Sequence, residues 1–90
     1  MTKEQILSEI NAVDTLTRKL LAARPNDPDL HTTEVILQRA RDMVNVHWPL
    51  TPEDRKNNNL AMFSFRVLEG GPYEDLPDKL LELSAHLNRP

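Results

Sequence analysis

The chain of 90 residues has no cysteine. It therefore uses neither a disulfide nor a thiolate zinc site, which accords with a reducing compartment. Glycine is almost absent. The two glycines form one dipeptide, Gly70-Gly71, and no phosphate-cradling loop can be built from it. No run approaches the roughly 18 consecutive apolar residues of a membrane span. The opening Met1-Thr2-Lys3-Glu4-Gln5 lacks the basic segment, apolar run and cleavage site of a signal peptide. A cytoplasmic protein with no membrane partner is the expectation. Basic residues are also outnumbered, 11 Lys and Arg against 14 Asp and Glu, for a formal charge of −3. Phosphate binding needs a concentrated basic surface, so nucleic acid is not expected as the main partner.

Signals for catalysis are equally sparse. His31, His47 and His86 form no chelating pair, and no local acid cluster completes a metal site, so neither metal nor cofactor is expected. Glu53-Asp54 and Glu74-Asp75 are adjacent acids. Neighbours on a helix point about 100° apart and do not converge as an acid–base pair. Both pairs fit the positive first turn of a helix. Ser8, Ser64 and Ser84 lack the context of a nucleophile elbow. The expectation is a protein that is not an enzyme.

What the sequence does contain is helical periodicity. Ile6, Ile10, Val13, Leu16 and Leu20 recur at three- and four-residue steps, and Thr2 with Gln5 has capping-box spacing. Arg24-Pro25 ends this first helix. Asp27-Pro28 starts a second, with Thr32-Thr33-Glu34 as a rival start. Its apolar side carries Leu30, Ile36, Leu37, Ala40, Met43, Val44 and His47. Thr51 as cap and Pro52 as first residue open a third helix, which ends at Gly70-Gly71-Pro72. Asp75-Leu76-Pro77-Asp78 opens the last, striped by Leu76, Leu80, Leu83 and Leu87. No segment alternates with period two for long enough to be a strand. The pattern predicts an all-α fold: one compact domain over residues 1–90, a distorted antiparallel bundle of four helices at about 3–23, 28–47, 52–69 and 76–88.

A chain of this kind works by contact, and three segments are candidates for it. In the third helix Leu60, Phe63, Ser64, Val67 and Leu68 make a buried face, while Met62 and Phe65 point to the other side, near Glu69 and Asn58. That segment is either a core helix covered all round or a partner-binding face. The connection from Glu69 through Tyr73, Glu74 and Asp75 to Asp78 sets the lone tyrosine among acids. It is either a solvated loop with helix-start acids or a surface that steers a basic partner. Trp48, between His47 and Pro49, is the third candidate, with a lid on the core as its structural alternative.

The order of segments resembles the small all-helical immunity proteins of bacterial type VI secretion, in the group that neutralises NAD-degrading toxins. The resemblance rests on Leu20-Leu21-Ala22-Ala23-Arg24-Pro25, on Ile36-Leu37-Gln38-Arg39-Ala40-Arg41, and on the entry from Thr51 to Arg55 into a helix centred on Leu60 to Glu69. An acidic, proline-containing loop then leads to Leu76. It implies a cognate toxin as partner, held off its cofactor by a protein docked over the active site. On the reading of the three segments, the contact residues expected are Glu69, Tyr73, Glu74, Asp75 and Asp78, with Trp48, Met62 and Phe65 behind them. A secretion chaperone or adaptor that holds a client helix, or a homodimeric interaction module, is the alternative.

Overall fold

The first three helices begin where side chains can satisfy the free amides of a first turn. In the computed structural model, which describes residues 2–56 and 60–88 except for the side chain of Phe65, α1 spans Lys3–Ala23. Thr2 and Gln5 form a complete capping box there: the Gln5 amide donates to Thr2 Oγ1 at 3.2 Å and the Thr2 amide to Gln5 Oε1 at 2.8 Å. Helix α2, Pro28–His47, starts at the earlier of its two signals. Asp27 Oδ1 accepts from the Asp29 and Leu30 amides at 2.9 and 3.2 Å, with Pro28 in the first turn. Thr51 and Asp54 repeat the box before α3, Pro52–Lys56. The Thr51 amide, set against the partial desolvation of Asp54, holds that carboxyl below its ordinary value, and the Thr51 hydroxyl and nearby His47 act in the same direction.

The third predicted helix is less regular than its periodicity suggests. Helix α4, Leu60–Phe63, runs into a π-helical turn, Ser64–Leu68. The turn is closed by the Glu69 amide on the Ser64 carbonyl at 2.9 Å, a five-residue span instead of four. The Ser64 hydroxyl, fully buried, donates to the Pro77 carbonyl at 2.8 Å and ties this arm to the start of α5, Leu76–Leu87. The wider turn keeps Leu60, Ser64 and Leu68 on the buried side and carries Val67 off it, so Val67, expected in the core, is 37 % exposed. The arm leaves through Gly70 at φ +78°, the left-handed exit expected there. Asn58 lies outside the described residues.

The structure is an all-α bundle, and no strand occurs among the described residues. Polar cross-links give the helix directions. Lys3 Nζ at the start of α1 donates to the Asn45 carbonyl near the end of α2 at 3.3 Å, and Arg41 reaches Asn11 and Asp14 further along, so α1 and α2 are antiparallel. His86 Nδ1 lies 2.7 Å from Glu9 Oε2, while Glu74, ahead of α5, pairs with Lys19 at 3.7 Å. Helices α1 and α5 are therefore antiparallel too. Their facing stripes, Ile6, Ile10, Val13 and Leu20 against Leu76, Leu80, Leu83 and Leu87, close the core with Leu30, Leu37 and Val44 of α2 and with Leu50, Leu60 and Leu68. Ile36 and Met43 pack only partly, and His47 is exposed instead of on the apolar face, 3.7 Å from Asp54.

Leu83→Ala should cost about 2–5 kcal/mol in urea unfolding, because its side chain is fully buried. Val46→Ala, at a side chain 76 % exposed, should stay within about 0.5 kcal/mol of wild type. Equal effects at the two positions would contradict the packing of α5 against α1.

Candidate functional site

Helix α2 packs on α1, and the arm formed by α4 and its π-helical turn packs on α5. Among the described residues a groove of about 440 Å³ runs between α2 and the arm. Its α2 wall is Thr32, Val35, Ile36 and Arg39, residues at i, i+3, i+4 and i+7 and hence one helix face over two turns. Its other wall is Met62, Phe63, Arg66 and Val67. Val35 is 52 % exposed and Met62 57 %, so together with Val67 they account for three of the four large exposed hydrophobic side chains among the described residues. A cluster of this kind, rimmed by charge, marks a contact surface more often than scattered single residues do.

The rim is cationic. Arg39 and Arg66 are exposed and lie on opposite walls, and no lining residue is acidic. Neither guanidinium takes part in an ion pair among the described residues. Arg18 and Arg41, by contrast, are both committed to the buried Asp14, at 3.3 and 3.6 Å, and Arg41 also donates to Asn11 and Gln38. The chain as a whole carries a net charge of −3, so a basic-edged apolar groove stands apart from the average surface.

The acidic connection is arranged differently from its expected form. Tyr73, expected either in a solvated loop or at a partner-binding surface, is only 6 % exposed and belongs to the core cluster. Its hydroxyl donates to Asp27 Oδ2 at 3.0 Å and lies 3.4 Å from Asp29 Oδ2, which ties the loop to the first turn of α2. The ring lies over Gly71, where a Cβ would come within 2.6 Å of it. Removing Tyr73 would therefore disturb the fold, and an unchanged stability on its truncation is not expected. Burial, together with the hydrogen bond to Asp27 and the charges of Asp27 and Asp29, raises the Tyr73 hydroxyl from 10.0 to about 12. Desolvation pulls the Asp27 carboxyl upward, but the Leu30 amide, the Tyr73 hydroxyl, the Asp29 amide and the Arg24 charge outweigh it and leave Asp27 below its ordinary value.

The other loop candidates, Glu69, Glu74, Asp75 and Asp78, are exposed. Glu74 sits at φ +52°, a left-handed conformation uncommon for a non-glycine residue. Asp75 occupies the cap position of α5 without a side-chain bond to it. Trp48 is half-buried against the core, in the position of a lid. Met62 lies in the groove, and the side chain of Phe65 lies outside the described residues. Sequence reasoning missed Val35, Arg39 and Arg66 as contact candidates. No signal in the sequence singled them out, because Val35 lies beside Ile36, which the periodicity assigns to the apolar side of the helix.

Among the described residues no group of three or more His, Asp or Glu side chains is placed to hold a metal ion, and no helix is long and apolar enough to cross a membrane. No family model matches the chain, and neither a curated protein nor a solved structure matches it.

The Tyr73 tether has a simple spectroscopic test, because the chain has one tyrosine. A folded-state value raised from 10.0 to about 12 means that the tether's stabilisation is complete below pH 10 and is lost as pH rises towards 12. Ultraviolet titration should place phenolate formation well above 10, and unfolding in urea should become easier across that interval. Tyr73→Phe should cost about 1 kcal/mol, and Tyr73→Ala about 3–5 kcal/mol. An ordinary tyrosine titration with a stable alanine variant would put the ring in solvent.

Proposed function

We propose that this chain is a non-catalytic binding protein whose contact surface is the groove between α2 and the α4 arm. The observation that carries this reading is the cluster of Val35, Met62 and Val67, left open to solvent between two helical walls. Burying such a side chain fully from water gains roughly 1.5–3 kcal/mol, and a partner that covers these three, exposed to 52, 57 and 37 %, gains the corresponding fraction of it. With the family resemblance as guide, the partner is a toxin that degrades NAD, and the chain is its immunity protein. It would act by occupying space over the toxin's active site, with no chemistry of its own.

Tight binding of this type depends on a small, well-desolvated centre more than on total area. The groove offers one: Met62 and Val35 as anchors and Arg39 and Arg66 at the edge. The exposed acids Glu69, Glu74, Asp75 and Asp78 would then act on association rate and partner choice. A chaperone that holds a client helix would use the same groove, and it would leave the partner's activity intact once the client was released.

The test begins with the neighbouring genes: if one encodes a candidate toxin, cells that express it are assayed for protection by this protein, read as their NAD content. Wild-type protein should preserve NAD, and Val35→Asp/Met62→Asp should fail to, with a melting temperature close to wild type because both side chains are exposed. Full protection by that variant, together with loss of protection on reversing Glu69, Glu74, Asp75 and Asp78 to lysine, would move the contact to the acidic loop.

A further inference from the structure

The chemistry of the groove specifies its occupant beyond the reading above, on which this inference rests. We infer that the groove receives an acidic amphipathic helix of the partner protein. Three features carry the inference. The groove lies between two helical walls, and the α2 wall is a two-turn stripe of about 10 Å, the length over which a third helix lays residues i, i+3, i+4 and i+7 against a neighbour. Its floor is apolar: Val35, Ile36, Met62, Phe63 and Val67. Its edges are two guanidinium groups, on opposite walls, neither of them in an ion pair among the described residues.

A helix docked there presents its apolar stripe to the floor and has its flanking positions beside Arg39 and Arg66. Carboxylates at those positions would make bidentate, charge-assisted bonds as the groove is desolvated. Lysines at the same positions would place like charges together, a repulsion that rejects basic helices. The remainder of the chain strengthens the contrast. Its surface charge is net acidic, so an acidic partner segment is attracted to this groove and repelled by the Glu69–Asp78 connection. Charge complementarity thus fixes which face of the molecule such a helix meets.

The experiment uses the full chain and two stapled helical peptides of about 14 residues, long enough for roughly four turns. Both carry leucine at i, i+3, i+4 and i+7. One carries glutamate at the flanking positions and the other carries lysine. Amide shifts are followed by NMR in low salt. The glutamate peptide should shift the amides of Val35, Arg39, Met62 and Val67 and bind about tenfold more tightly than the lysine peptide. Arg39→Glu/Arg66→Glu, at two exposed positions, should invert that order. Equal or tighter binding of the lysine peptide in the groove would overturn the acidic-helix inference and leave the groove standing as a contact surface. Shifts elsewhere, or none from either peptide, would overturn the groove reading itself. Self-association in sedimentation that Met62→Glu abolishes would make a second copy of this chain the occupant, and so also overturn the inference.

Discussion

The attachment of the α4 arm to α5, and not to α2, is the constraint from which the functional surface follows. Ser64 donates to the Pro77 carbonyl, and the π-helical turn keeps Leu60 and Leu68 on the α5 side. Helix α2 is held separately, on α1, by Leu37 and Val44 and by the Arg41 bonds to Asn11 and Asp14. The two outer elements are thus fixed to different inner helices, and the space between them stays open. Val67 shows the local consequence: one residue of extra width in the turn moves it from the core stripe to the groove wall.

A second tether limits how far α2 can shift to close that space. Tyr73 reaches back over 46 positions to Asp27, the residue that caps α2. The same carboxylate accepts two backbone amides and the phenol, so the start of α2, the acidic connection and the entry to α5 are held at one point. Gly71 lies under the ring because a side chain there would collide with it.

Helix positions were legible in the sequence because their causes are local. Thr2 with Gln5, Asp27 with Pro28, and Thr51 with Asp54 each satisfy amides within three residues, and the structure uses all three. The stripe of Leu76, Leu80, Leu83 and Leu87 is buried as its period requires. The π-helical turn was not legible, since Leu60 to Leu68 satisfies an α-helical pattern equally well. The burial of Tyr73 was not legible either, because its partners are distant in sequence and its neighbours are acids, glycines and a proline. The groove has the same character. Thr32, Val35, Ile36 and Arg39 form an unremarkable helix face until the arm with Met62 and Arg66 is placed opposite.

Whether the space between α2 and the α4 arm is open in solution is directly measurable, because the chain has no native cysteine. Single variants Val35→Cys, Met62→Cys and Val67→Cys would be compared with Leu37→Cys, whose position is fully buried, by their rates of reaction with an aromatic disulfide under native conditions. The three groove thiols should react at rates near that of an unfolded control, while the Leu37→Cys thiol should react only as the protein opens globally. Protection of the groove thiols to the level of Leu37→Cys in the isolated monomer would mean that the arm closes on α2, and would contradict an open groove.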